Sequence, residues 1–163
     1  MPELALQDTV RYQEHLFRLL IHNDDRALRI LSIYGTIIGL LITVAFALNQ
    51  AKALGPYPIV FMATAAVFLA LGCVFAYLAG WSADIYLPGR KPDFWKWALD
   101  NDQDPRSVVA AYIEQAAQSI ANNERISNRA ARRLERGYVC GVLALPVATI
   151  ATILAYTAYT FIF

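Results

Sequence analysis

The stretch ILSIYGTIIGLLITVAFAL, residues 30–48, decides the fold class of this chain because it contains no charged residue. Two further uncharged apolar stretches follow, IVFMATAAVFLALGCVFAYLAGW at 59–81 and YVCGVLALPVATIATILAYTAYTFIF at 138–163. A bilayer core about 30 Å thick requires roughly 20 helical residues to cross it, and a helix satisfies its own backbone polar groups inside lipid. The sequence therefore predicts an all-α integral membrane protein with three transmembrane helices.

The positive charges predict the orientation of the chain. Of the 14 Lys and Arg residues, only Lys52 lies between the first two spans; the others precede the first span or separate the second from the third. Basic residues are retained in the cytoplasm during membrane insertion. We therefore expect a cytoplasmic N-terminus and a cytoplasmic 82–137 region, with the Asn49–Tyr57 link and Phe163 on the opposite side.

The chain divides into four predicted segments. Residues 1–29 form a cytoplasmic amphipathic helix, and residues 30–81 form a transmembrane hairpin whose two spans are separated by the breaker Gly55–Pro58. Residues 82–137 contain a loop at Leu87–Pro92 and a long helix that begins near Ser107, where Asp104 and Pro105 supply N-cap chemistry. This helix is expected to continue into the third span, 138–163. Its apolar stripe requires a partner, either the N-terminal helix or another subunit.

Small and hydroxylated residues repeat at helical spacing in the first and third spans. Gly35 and Gly39 form a small-xxx-small pair that allows another helix to approach closely. Hydroxyl stripes of this kind either pack helices together or line an aqueous path, and a path would require several copies around an axis. The pore-lining candidates are Ser32, Thr36, Thr43, Thr149, Thr152, Tyr156 and Tyr159.

The three spans contain no ionisable Asp, Glu, His, Lys or Arg residue. Pumps and ion-coupled transporters place such groups inside the membrane, so this composition argues against them. It is compatible with a passive pore, which can use hydroxyls, backbone groups and hydrophobic constrictions.

A basic cluster precedes the third span, on the predicted cytoplasmic helix. Topogenic charge and attraction to anionic lipid explain such a cluster without a ligand. The alternative is a phosphate-binding surface for a nucleotide or short nucleic acid, because arginine forks match phosphate oxygens. The candidate ligand-binding residues are Arg125, Arg129, Arg132, Arg133 and Arg136, with Asn122 and Asn128 beside them.

The sequence predicts neither an enzyme nor a cofactor or metal site. It contains no phosphate-cradling glycine loop, nucleophile elbow or enclosed carboxylate pair, and we assign no catalytic residue. His15 and His22 lie seven residues apart without a matching cysteine pattern, so we assign no metal ligand. Two other functions are compatible with the sequence. One is a membrane-anchored scaffold that recruits a cytoplasmic partner, and the other is a holin-like pore.

The layout of a charged N-terminal helix, a tight hairpin and the helix segment Asn122-Asn123-Glu124-Arg125-Ile126-Ser127-Asn128-Arg129 resembles a group of bacterial anti-phage effectors. These are the SLATT-type, Pycsar and Hailong membrane effectors of nucleotide-signalling systems, and the third span makes the layout most similar to the Hailong channel.

The resemblance implies a homo-oligomeric ion channel of the inner membrane, for example a tetramer. It also implies a nucleotide or oligonucleotide ligand bound at the basic helix and made by a partner nucleotidyltransferase. In Hailong-like systems the ligand is expected to hold the channel closed.

Overall fold

The computed structural model describes residues 2–51, 55–81, 85–87 and 92–162, which fold almost wholly into helices. The helices are α1 (Pro2–Gln50), α2 (Pro56–Gly80), α3 (Pro92–Asp100) and α4 (Pro105–Ile162). Helices α1, α2 and α4 each contain a segment long and apolar enough to cross a membrane. The predicted all-α class, with three spans and long helical extensions, is confirmed. Lys52 and residues 88–91 of the predicted loop lie outside the described residues.

The helix ends follow from local chemistry. Pro56 and Pro105 occupy first-turn positions, where a missing backbone N–H costs nothing. The Asp104 carboxylate accepts a hydrogen bond from the Ser107 N–H at 3.3 Å and so caps the start of α4. The turn between α3 and α4 contains Asp102 with a φ of 46°, a left-handed conformation that aspartate tolerates.

The chain divides into two compact units, and the first comprises Met1–Asn23 and Ser82–Arg129. Leu16 and Leu20 of α1 and Val108, Tyr112 and Ala116 of α4 are buried at spacings of four, which places each set on one helix face. Ala98 of α3 is also buried, and the Trp95 ring stacks on Tyr112 at 6.3 Å between centroids. Gln13, Asn23 and Asn123 are buried polar residues of this unit.

The second unit comprises Asp24–Trp81 and Ala130–Phe163 and contains the three apolar segments. Its core is a cluster of Ala27, Ile30, Ala76 and Leu134. The Tyr34 ring meets Gly72, and the Tyr57 ring meets Tyr156. The Cβ position of Gly80 also meets Ala27, and Gly137 meets Gly72, so α2 runs antiparallel to both α1 and α4 within this unit. Small buried residues on α2, such as Ala65, Gly72 and Ala76, allow the helices to approach closely.

Candidate functional site

The polar segment 122–129 of α4 joins three parts of the first unit. The buried Asn123 side chain pairs with the backbone of Tyr86: its Oδ1 accepts from the Tyr86 N–H at 3.1 Å, and its Nδ2 donates to the Tyr86 carbonyl at 2.8 Å. Such two-way pairing satisfies a buried amide that would otherwise destabilise the fold. Asn123 therefore attaches the segment before α3 to α4.

The same segment also binds α1 within the first unit. The Tyr12 hydroxyl donates to Glu124 Oε1 at 2.5 Å, and Asn23 Nδ2 donates to Ser127 Oγ at 3.3 Å. The hydrogen bond to Glu124 and the negative charge of that carboxylate raise the pKa of Tyr12 above its ordinary value of 10.0, with burial adding to the effect. Much of the segment's polarity thus holds α1 and α4 together within the first unit.

The predicted arginine cluster is divided between the two units. Arg125 and Arg129 belong to the first unit and are exposed, whereas Arg132, Arg133 and Arg136 belong to the second. Arg132 and Arg136 are exposed, and Arg133 is half-buried. Asn122 is half-buried and Asn128 is exposed. Ligand binding by these residues stays a prediction.

Arg133 has a structural partner that the sequence did not reveal. Its Nη1 donates a hydrogen bond to the carbonyl oxygen of Leu78, in the last turn of α2. The last carbonyls of a helix have no partner within the helix and carry partial negative charge. A guanidinium at this position therefore stabilises the end of α2 and fixes it against α4.

The closest helix packing in the second unit surrounds the Tyr34 ring. A Cβ atom built on Gly72 would lie 2.6 Å from Tyr34 Cε2, and one built on Gly141 would lie 1.9 Å from Tyr34 Oη. Gly137 is confined less tightly and by α2, because its Cβ position is 3.2 Å from the Gly72 carbonyl oxygen. The Tyr34 hydroxyl donates to the Gly137 carbonyl at 3.4 Å. The three glycines form a slot for one aromatic ring.

This glycine slot differs from the glycine pair that the sequence analysis selected. Among the described residues, no atom lies within 4 Å of a Cβ built on Gly35 or Gly39, and both glycines are exposed. Their predicted role in helix packing would therefore involve another subunit, and it stays a prediction. The slot had one sequence signal, the four-residue spacing of Gly137 and Gly141, which is the same small-xxx-small pattern.

The threonine hydroxyls among the pore-lining candidates bond to their own helices. Each donates to a carbonyl four residues earlier, which removes the cost of placing a hydroxyl in lipid. The pairs are Thr36 with Ser32 at 2.8 Å, Thr43 with Gly39 at 2.8 Å, Thr149 with Leu145 at 2.9 Å and Thr152 with Ala148 at 2.8 Å. Such hydroxyls are compatible with either a lipid or an aqueous environment.

The pore-lining candidates differ in how exposed their side chains are. Ser32, Thr36 and Thr43 are exposed, whereas Thr152 is half-buried. The rings of Tyr156 and Tyr159 lie 5.4 and 6.2 Å from the Tyr57 ring, in edge-to-face geometry. Tyr156 and Tyr159 therefore lie beside α2, whereas Thr149 and the α1 candidates are exposed.

A family model described as Pycsar effector protein domain matches residues 14–157, which cover most of both compact units, the first two apolar segments and the third as far as Thr157. The chain belongs to the Pycsar effector family. The predicted resemblance to Pycsar membrane effectors is thus confirmed. No curated protein and no solved structure matches the chain.

Membership of the Pycsar effector family identifies the chain as a multi-pass membrane effector of anti-phage defence. The family is not a known enzyme family. The matched residues include every candidate ligand-binding position and every pore-lining candidate except Tyr159.

Proposed function

We propose that this Pycsar effector is a homo-oligomeric ion channel of the bacterial inner membrane, gated by a cyclic nucleotide that a partner cyclase or nucleotidyltransferase makes. The family match over residues 14–157 is the observation that supports it. The N-terminus and the first unit lie in the cytoplasm, where the signal is made, and the C-terminus lies outside.

The proposed pore surface is the stripe of Ser32, Thr36 and Thr43 on α1. At 100° per residue, these side chains lie on the face of α1 opposite Ile30, Leu31 and Tyr34, which pack into the second unit. Three helices are too few to enclose a channel. Several protomers must therefore surround a common axis, with this stripe of each protomer facing a central aqueous path. Gly35 and Gly39 lie on the same outer side and allow neighbouring protomers to approach.

The proposed nucleotide contacts are Arg125 and Arg129 of the first unit, with Asn122 and Asn128 beside them. Exposed guanidinium groups one helical turn apart can each bind a phosphate oxygen. Because Arg133 already bonds to the end of α2, its role is structural. The nucleotide assignment is therefore limited to the cytoplasmic unit.

The test is ion flux from liposomes that contain the purified protein, with the 3′,5′-cyclic mononucleotides of the four RNA bases as probes. We expect flux to change with one of these nucleotides. Thr36→Val and Thr43→Val should alter the conductance, because they remove the hydroxyl and keep the shape. Ile33→Val, on the exposed surface of the same helix, is the matched control.

A double variant of Arg125 and Arg129 to Gln should lose the nucleotide response while keeping the basal flux. Liposomes that stay silent with all four nucleotides would contradict the channel. That result would favour the scaffold hypothesis. In that case, changes at Ile113 or Ile120, on the apolar stripe of α4, should abolish binding of a cytoplasmic partner.

A further inference from the structure

A groove on the surface of the second unit combines a basic end with an apolar end. It encloses about 440 Å³ between α2 and α4. The lining residues are Phe75 of α2 and Arg132, Glu135, Arg136, Val139 and Cys140 of α4.

The two ends of this groove lie on either side of the boundary of the third apolar segment, which begins at Tyr138. Arg132 and Arg136 are one helical turn apart and precede the boundary, whereas Val139 and Cys140 follow it. With a rise of about 1.5 Å per residue, the groove changes from charged to apolar within roughly 10 Å. Phospholipids change from phosphate to hydrocarbon over a similar distance at the membrane surface.

The charge of the lining favours an anion. Two guanidinium groups and the Glu135 carboxylate give the groove a net positive charge. A second groove of about 350 Å³, on the other side of Glu135, includes only Arg26 as a basic residue, and its guanidinium lies over the Tyr138 ring at 5.5 Å. That groove carries no net charge, so the Arg132–Arg136 groove is the stronger anion site.

We propose that the Arg132–Arg136 groove binds one anionic phospholipid of the cytoplasmic leaflet. The lipid phosphate contacts the two guanidinium groups, and an acyl chain lies along Phe75, Val139 and Cys140. Basic pockets between membrane helices on the cytoplasmic side are typical sites for anionic headgroups. A soluble nucleotide would use the basic end and leave the apolar end uncovered, so a lipid fits the whole groove better.

The experiment is native mass spectrometry of the purified protein after equilibration with equal amounts of phosphatidylglycerol and phosphatidylcholine of identical acyl chains. Two arginines near anionic lipid should enrich the bound phosphatidylglycerol by about tenfold or more. The R132Q/R136Q variant should lose this enrichment, and R132K/R136K should keep most of it. The matched control is R125Q/R129Q, which removes the same charge from the same helix within the first unit and should retain the enrichment.

Two further measurements test the apolar half of the site. Cys140→Trp fills the groove without changing its charge and should lower the amount of bound lipid, while circular dichroism and gel filtration confirm an intact fold. Millimolar inorganic phosphate should leave the lipid bound, because phosphate cannot replace the acyl-chain contacts.

Several results would overturn the assignment. These are equal enrichment in wild type and R132Q/R136Q, loss of enrichment in R125Q/R129Q as well as in R132Q/R136Q, or displacement of the lipid by phosphate alone. The measurement involves neither nucleotide nor ion flux, so its outcome is independent of the proposed channel.

Discussion

Replacement of Gly141 by alanine should destabilise the packing of the three spans, because the new methyl group would occupy space that the Tyr34 ring already fills. The added Cβ would lie 1.9 Å from Tyr34 Oη and 2.4 Å from Cζ. Ordinary contacts begin near 3.4 Å, so the ring would have to move by about 1.5 Å, the difference between 3.4 and 1.9 Å. Its opposite edge faces Gly72 and cannot retreat freely.

The expected magnitude combines two opposing contributions. Overpacking of a tight interior costs about 1–3 kcal/mol, and displacement of Tyr34 also breaks its 3.4 Å hydrogen bond to the Gly137 carbonyl. Alanine favours a helix over glycine by about 1 kcal/mol in water, which offsets part of the cost. We expect a net loss of about 1–2 kcal/mol in the free energy of unfolding.

The assay is reversible unfolding in mixed micelles, monitored by circular dichroism. Gly80→Ala is the matched control, because its Cβ would lie at an ordinary 3.5 Å from the Ala27 Cβ. The double variant Tyr34→Ala/Gly141→Ala should be more stable than the sum of the single effects predicts, since contacting residues couple by about 0.5–3 kcal/mol. The reasoning fails if Gly141→Ala unfolds like the wild type, or if the two effects simply add.

Three more substitutions test contacts outside the glycine slot. Asn123→Ala should cost about 1–3 kcal/mol, because it leaves both backbone groups of Tyr86 without their partner, and hydrogen exchange at the Tyr86 amide should accelerate. Tyr12→Phe should lower stability at pH 8; because the folded-state pKa of Tyr12 is raised, its bond to Glu124 contributes fully below pH 10.0 and is lost as the pH rises through the raised pKa. Arg133→Gln should cost about 1.5 kcal/mol and increase hydrogen exchange in the last turn of α2.

Each of these substitutions has a result that would contradict it. Unchanged hydrogen exchange at the Tyr86 amide in Asn123→Ala would argue against the two-way pairing. A difference between Tyr12→Phe and wild type that persists well above the raised pKa would mean that the hydroxyl acts by another route. Unchanged exchange at the end of α2 in Arg133→Gln would remove the proposed capping role.

Hydropathy was sufficient to predict the spans, because a helix that crosses a bilayer must be long and apolar, and both properties can be read from the sequence. The continuity of α4 was also predictable, since no glycine or proline interrupts the chain between Ser107 and Arg136. The rotation of the spans about their axes was harder to predict. In lipid both the packed and the exposed faces are apolar, so the hydrophobic periodicity that orients a helix in a soluble protein is weak.

The individual contacts depended on residues far apart in the chain. The Asn123 amide pairs with a backbone 37 residues earlier, and the Tyr34 hydroxyl bonds to a carbonyl 103 residues later. Asn123 lies in a polar segment of the sequence, but the residue types alone do not distinguish a ligand-binding amide from one that holds a loop. Likewise, Arg133 was indistinguishable from its neighbours until the end of α2 was placed beside it.

The hydroxyls of Thr36 and Thr43, which bond to carbonyls of their own helix, separate membrane insertion from assembly. A buried polar group that needed a second subunit for its hydrogen bond would make each newly made chain unstable until a partner arrived. Here the two hydroxyls already have hydrogen-bond partners within a single chain, so a monomer can remain in the bilayer at low energetic cost. In the proposed channel, each chain can therefore insert into the membrane as a monomer and associate with other copies afterwards.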